Sequence, residues 1–334
     1  MIFMMAVIGA VTRLTESGLS MVEWRPVTGW IPPLSEAEWQ RVYELYKQSP
    51  EFAHKHFWME IGDFKKIFFW EWLHRLWGRL IGLAFALPLL WFAVRKQIPQ
   101  GYGWKLFGLF LLGGAQGFLG WWMVKSGLAD RPDVSHYRLA AHLGLALVLF
   151  SFTWWMALGC GEPPPTPALP PLRGGLRRLG RFLRPGRSWV GGHTGRGLLA
   201  HAFGSLTLLA ITIVWGAFTA GLDAGHIYNT WPLMNGSFMP PEDFDYSSIV
   251  EQQAWVQFCH RWLAALTGLA ILVLAVSTRN WMMGTMVLVQ IGLGIATLLT
   301  GVMVPLAALH QAGAMILLAL LLKALHELRT GKNF

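Results

Sequence analysis

The feature that most constrains this chain is a series of apolar runs, each long enough to cross about 30 Å of hydrocarbon as a helix of ~20 residues. Seven full runs occur, at about 67–94, 104–124, 138–159, 198–220, 254–277, 281–302 and 305–325. An eighth, Met1–Val11, has half the needed length and leads into Thr12-Arg13-Leu14-Thr15-Glu16-Ser17-Gly18, which reads as a helix exit. It is expected to be a spanning helix whose first half is missing from the sequence; an interfacial stub is the other reading. Of the 334 residues 54% are hydrophobic and 13% charged, too much apolar surface for one soluble core or a disordered chain. The fold expected is an all-α membrane protein of eight transmembrane helices, the first truncated, arranged as two pseudo-symmetric four-helix bundles.

Loop composition gives the organisation. Residues 13–66 form a polar outer loop with Trp24, Trp30 and Trp39, the breaker run Ile31-Pro32-Pro33, and a short amphipathic segment opened by Ser35 and Glu38 at capping-box spacing. Residues 160–197 carry six prolines between Pro163 and Pro171, then seven arginines from Arg173 to Arg196, and read as an inside linker. The units expected are therefore 1–159 and 198–334. The net charge of +9 speaks of topology. Arg95, Lys96, Arg279, Arg329 and Lys332 fall on the linker's side, which places both termini inside. Basic residues do not interleave with exposed aromatics, so lipid, not nucleic acid, is the expected partner. Cys160 and Cys259 make no zinc or disulfide framework.

The halves repeat. His74-Arg75 with Gly82 matches His260-Arg261 with Gly268, and Gly9-Ala10-Val11-Thr12 matches Gly216-Ala217-Phe218-Thr219 at a shift of 207. Leu139-Ala140-Ala141-His142 corresponds to Leu306-Ala307-Ala308-Leu309-His310, and Gln116 and Gly120 to Gln290 and Gly294. With an even number of helices each, the halves share one orientation, a parallel repeat. Polar side chains within a span are costly and are functional candidates. His74, His142, His260 and His310 sit in equivalent helices, and two facing histidines can hold a heme iron at both axial positions. Gly78, Gly82, Gly144, Ala146, Ala264, Gly268, Ala312, Gly313 and Ala314 lie nearby and would admit a flat porphyrin. The alternative is that each histidine merely bonds a neighbouring helix. His136, His201 and His226 rank lower; His54, His56, His193 and His326 read as solvated.

Arg75, Arg79 and Arg261 follow the histidines at the outer boundary. They are candidate contacts for heme propionates, since arginine forks suit carboxylates; snorkelling is the other reading. Glu71 breaks the repeat. It stands one turn before His74, where Gln257 precedes His260. A carboxylate beside one site and an amide beside the other suggests that only the first does chemistry, unless Glu71 is simply an interfacial partner of Arg75.

On these residues the sequence closely resembles heme A synthase over nearly its whole length. The motifs that carry the resemblance are Thr12-Arg13-Leu14-Thr15-Glu16-Ser17-Gly18-Leu19-Ser20-Met21, Glu71-Trp72-Leu73-His74-Arg75-Leu76-Trp77-Gly78-Arg79, Gly120-Trp121-Trp122-Met123-Val124-Lys125-Ser126-Gly127-Leu128, Tyr137-Arg138-Leu139-Ala140-Ala141-His142-Leu143, Ala220-Gly221-Leu222-Asp223-Ala224-Gly225, Tyr228-Asn229-Thr230-Trp231-Pro232-Leu233-Met234 and Leu309-His310-Gln311. The resemblance implies oxidation of the C8 methyl of heme O to a formyl, giving heme A for terminal oxidase assembly. It implies that His74 and His142 ligate the substrate heme and that His260 and His310 ligate a permanent heme b. Glu71 matches the family's catalytic glutamate, as proton acceptor or as stabiliser of positive charge at the methyl carbon.

Two departures stand out. No cysteine pair occurs in residues 13–66, which excludes the thiol–disulfide step of some members there, and Cys259 replaces a usually acidic residue before His260. Resemblance of the Tyr43 to Phe52 region and of the Glu71 motif to mitochondrial members points to the mitochondrial inner membrane, with a bacterial plasma membrane as the alternative. Heme O synthase and an unidentified electron donor or acceptor are expected partners, and a homo-oligomer is compatible with the sequence. The competing readings are a di-heme b-type electron-transfer protein and a heme delivery protein or transporter.

Overall fold

A computed structural model of the chain describes residues 1–25, 28–128, 132–160 and 191–331, leaving aside the side chains of 191–194. Among them, seven helices are long and apolar enough to cross a membrane. They are α3 (Ile61–Val94), α4 (Gly103–Gly127), α5 (His136–Gly159), α6 (Gly191–Gly221), α7 (Gln253–Ser277), α8 (Trp281–Leu299) and α9 (Val304–Thr330). The shorter apolar α1 (Ile2–Leu14) precedes them, and α2 (Glu36–Lys47) lies in the outer loop. The protein is an all-α membrane protein. α6 begins inside the stretch expected to be linker, because Gly191–Gly197 joins the helix ahead of the apolar run. The Pro- and Arg-rich stretch before it lies outside the described residues.

Lipid replaces water around these helices, so every backbone group must be satisfied within the helix, and long unbroken α-helices result. α3 runs 34 residues, about 50 Å at 1.5 Å each, which is longer than the hydrocarbon. Its surplus first turns carry Phe64, Ile67 and Phe68, which bury against Tyr46 and Met59 of the outer loop. α2 starts as the capping box requires: Ser35 Oγ accepts from the Glu38 N–H at 3.2 Å. Thus the outer loop is seated on the first turns of α3.

Contacts between helices follow the repeat. α1 packs on α9 as its counterpart α6 packs on α5, and α5 meets α9 between them. α6, α7, α8 and α9 touch in a closed ring. Their core holds Ile271, Leu274, Met283, Val287, Leu318 and Leu321, each 4% exposed or less. α3 and α4 touch only sparsely, while their counterparts α7 and α8 pack closely. Arg13 crosses between the halves, donating to Ala220 O at 2.7 Å and Asp223 Oδ1 at 2.8 Å.

Candidate heme sites

Each of the four predicted histidines rests on a glycine of an adjacent helix. A Cβ at Gly9 of α1 would stand 3.0 Å from Cε1 of His74, and one at Gly120 of α4 3.0 Å from Cε1 of His142. The same relation joins Gly216 of α6 to His260 at 3.0 Å and Gly294 of α8 to His310 at 2.9 Å. A side chain at any of these glycines would press on the imidazole edge, so each ring is backed by bare backbone. These four glycines were visible in the repeat but not singled out as site residues. Gly144, nominated beside His142, has nothing within 4 Å of where a Cβ would be.

The pairs are also asymmetric within themselves. His74 and His260 leave Nδ1 buried without a hydrogen-bond partner. At the other pole Gln116 Nε2 lies 3.2 Å from His142 Nδ1 and donates to His142 O at 3.0 Å. Gln290 repeats this against His310 at 3.2 and 2.9 Å. Sequence reasoning noted both glutamines as repeat matches and missed that they touch the histidines. His74 and His142 are near enough to interact electrostatically, as are His260 and His310. Among the described residues no group of three or more metal-ligating side chains occurs. A facing pair fits an iron whose other positions are filled by a porphyrin. The side-chain-free cradles behind all four rings fit heme ligation better than helix-to-helix bonding. His201 does show that simpler role, with Nε2 2.8 Å from Ala270 O.

Glu71 is 2% exposed and gathers donors from the outer loop. Ser20 Oγ donates to Oε2 at 2.7 Å and the Met21 N–H to the same atom at 2.5 Å, while Arg75 donates to Oε1. Those bonds occupy most of the roughly four acceptor positions of a carboxylate. Arg75 also donates to the carbonyls of Met21 and Glu23. The second half repeats the frame with different chemistry. Arg261 donates to Tyr228 O and Thr230 O, the positions equivalent to Met21 and Glu23. Gln257 donates its amide N–H to Tyr228 O at 3.2 Å instead of accepting from the loop. Arg79 donates to Gly29 O and Arg25 O. The three arginines expected to face propionates are thus engaged in holding the outer loops onto α3 and α7. Sequence could not reveal the Ser20 clamp, which joins residues 51 apart.

Beyond the clamp lies a polar cluster in the outer loop. Tyr46 donates to Glu51 Oε2 at 2.9 Å and lies 2.5 Å from His56 Nδ1. His56 Nε2 is 3.1 Å from Glu16 Oε2, and Lys55 bridges Glu16 and Asp133. The hydrogen bond from His56, with Lys55 beside it, holds the Glu16 carboxyl down at about 2. Burial pushes Glu51 up to about 8. His56 is therefore not solvated, being 5% exposed, because Tyr46 and Glu16 satisfy both ring nitrogens. His326, also expected in water, is buried against Trp155. His54 and His226 are exposed and His136 is buried at the start of α5; the side chain of His193 lies outside the described residues.

Residues 1–322 match the family model for the cytochrome oxidase assembly protein COX15-CtaA. The chain is similar to the heme A synthase of Rhodospirillum centenum, at 48% identity over 98% of this chain and 86% of the relative. It is similar to that of Paramagnetospirillum magneticum at 45% identity, covering 98% and 90% respectively. For the heme A synthase of Nitrosospira multiformis the figures are 42%, 98% and 90%.

Proposed function

The chain belongs to the COX15-CtaA cytochrome oxidase assembly family, and from that membership we propose how it works as a heme A synthase. It is an oxidoreductase acting on heme O, and its work is divided between residues 1–159 and 198–334. His74 and His142 hold the iron of heme O, and Glu71 stands one turn away, toward the outer face. His260 and His310 hold a resident heme b, which when bound supplies one-electron transfer. The observation that carries this division is the exchange of Glu71 for Gln257 in an otherwise repeated frame of arginine and loop carbonyls.

Converting the methyl to a formyl inserts one oxygen atom and, where water supplies it, releases four electrons and four protons to an acceptor, so positive charge builds at the methyl carbon. The clamp of Ser20, the Met21 N–H and Arg75 fixes Glu71 as a preorganised negative charge. That arrangement supports stabilisation of the developing charge more than a carboxylate that swings to take a proton. The outer loop, held by Arg75 and Arg79, keeps bulk water from the site and strengthens the electrostatics within it. The basic ends of α3, α4, α7 and α9 face the cytoplasmic side in this reading, with both termini there. The bacterial relatives favour a plasma membrane over the mitochondrial inner membrane. Heme O synthase is the natural supplier of substrate, and an external acceptor must take the electrons.

Reconstitution of the purified protein with heme O under air and with an added one-electron acceptor, followed by chromatography of the extracted heme, tests the assignment. Heme A should appear and the heme b content should stay constant. Recovery of both hemes unchanged would favour the electron-transfer reading.

A further inference from the structure

The two outer loops treat their ionisable side chains differently. In the second, residues 222–252, His226, Glu242, Asp243, Asp245 and Glu251 are exposed, and Asp223 pairs with Arg13. Asp223 is the repeat equivalent of Glu16 at the shift of 207. In the first loop Glu51, His56 and Tyr46 are buried. Burying ionisable groups is costly, and apolar side chains of the same volume are often no less stabilising. The cluster therefore needs a reason besides holding the loop together, and it stands in the half that carries Glu71.

The cluster is a continuous line of groups that can give and take protons. Glu51 Oε2 lies 2.9 Å from the Tyr46 hydroxyl, the hydroxyl 2.5 Å from His56 Nδ1, and His56 Nε2 3.1 Å from Glu16 Oε2. The outer end reaches water: Glu16 is 37% accessible and is joined through Lys55 to Asp133, which is 42% accessible. The inner end lies beside the site. Burial raises Glu51 to about 8, and the charge of Glu71 adds to the rise, so the two carboxyl groups are near enough to interact. Tyr46, His56, Glu16, Lys55 and Glu71 are the titratable groups that face Glu51. Burial holds the Tyr46 hydroxyl far above the usual phenol range, so it can hand protons on without ionising.

On the reading that the first half oxidises heme O, we infer that Glu51, Tyr46, His56 and Glu16 are the proton exit of that site, carrying protons from beside Glu71 to the outer surface. Oxidation with water's oxygen sheds protons, and Glu71, held by Ser20, the Met21 N–H and Arg75, is fixed in place. Another group must carry them off. Glu51 gives its proton to the Tyr46 oxygen, Tyr46 gives its own to His56 Nδ1, and His56 gives the proton on Nε2 to Glu16 Oε2. One proton leaves Glu51 and one arrives at Glu16, which is held at about 2 and sheds it to water. The hydrogen bond from Tyr46 to an ionised Glu51 is the state after such a passage, with Glu51 ready to take the next proton. The line resets as His56 returns a proton to Nε2 and the Tyr46 hydroxyl turns. A carrier that changes state near neutrality suits the task. The second half, which passes electrons only, has no such line among the described residues.

The test measures heme A formation from about pH 6 to about pH 9 by the purified, heme b-loaded protein, given heme O and a one-electron acceptor. The parent rate should rise toward pH 8 as more Glu51 is ionised and able to take a proton. Glu51→Gln and Tyr46→Phe keep the volume of the side chain, and parent-level heme b and heme O binding serve as the check on folding. Glu51→Gln should lose the rising limb and run about 10²-fold slower, and Tyr46→Phe, which breaks the line in the middle, should be as slow. A role confined to holding the loop predicts the opposite slope, because loop stability falls over the same range. His56→Ala should be slow and be rescued by added imidazoles at rates that follow their pKa. Without turnover, infrared titration of the parent should show a protonated carboxyl band that is lost near pH 8 and is missing in Glu51→Gln. The parent's slope and infrared titration need no variant. A parent rate that falls toward pH 8, no such band, parent rates in both variants, or rescue indifferent to pKa would each overturn the exit alone. A parent that forms no heme A would overturn it together with the oxidation reading.

Discussion

At Glu71 the chain offers a carboxylate where its repeat offers an amide, and both side chains sit in the same frame of arginine and loop carbonyls. Glu71→Gln therefore makes the two sites alike at one atom. The variant should keep heme b, bind heme O and form heme A about 10²–10⁴ times more slowly, read by chromatography of extracted heme; heme A formed at the parent rate would reduce Glu71 to a structural partner of Arg75. The glycines behind the histidines make a second prediction. Gly216→Val would drive a side chain into His260, whose Cε1 lies 3.0 Å from the first added carbon. The low-spin heme b spectrum should be lost, as in His260→Ala or His310→Ala. Gly9→Val should leave that spectrum intact and impair only heme O binding. Identical spectra for the two glycine variants would refute the assignment of the hemes to their halves.

At the scale of elements, the outer loop is a polar structure seated on the projecting end of α3, and its buried charges make it sensitive to pH. Glu51 titrates near 8 in the folded loop against an ordinary 4.5. Between those values the folded loop holds a proton that the unfolded loop has released, so loop stability falls as pH rises through that window. Glu16 has the opposite sign: its folded value of about 2 contributes stability above pH 4.5 that is lost as pH falls toward 2. The groups facing Glu51 are Tyr46, Glu71, Glu16 and Lys55, and His56 joins through Tyr46. Protection factors of the amides across residues 36–60, with the intrinsic pH dependence of exchange divided out, should fall from pH 5 to pH 8, and Glu51→Gln should flatten that dependence. An unchanged slope in Glu51→Gln would assign the pH response to another group.

The whole molecule is two related halves built to different tightness. The α6–α9 half has a continuous core in which Leu321 is 0% exposed, and Leu321→Ala should cost about 2–5 kcal/mol, measured as a fall in the melting midpoint of heme b loss. In the first half α3 and α4 touch only sparsely, and α3 is held by α1 and the outer loop and α4 by α5. Hydrogen exchange in detergent should show α3 and α4 opening before α7 and α8. Simultaneous opening of both pairs would mean that the sparse contact of α3 with α4 does not weaken the first half. The Arg13–Asp223 pair between the halves is partly exposed, with side chains 20% and 40% accessible. Its removal should change stability by only about 0–1 kcal/mol.

The spans, the parallel repeat, the histidines and the contrast of Glu71 with Gln257 were all legible in the sequence. Each is a local property: an apolar run must become a helix in lipid, and an ionisable group within such a run is conspicuous because burying it is costly. The helix contacts decided the rest. Ser20 clamps Glu71 from 51 residues away, Gln116 reaches His142 from the next helix, and four glycines of the repeat turned out to be the floors beneath the imidazoles. His56 and His326 read as solvated from their places in the outer loop and near the end of the last apolar run, yet Tyr46 and Trp155 pack on them once the chain is folded. The arginines that charge alone would aim at propionates are held by loop carbonyls, a choice made by backbone geometry. Composition fixes which groups must be buried or satisfied, while the meeting of distant segments fixes which partner satisfies each one.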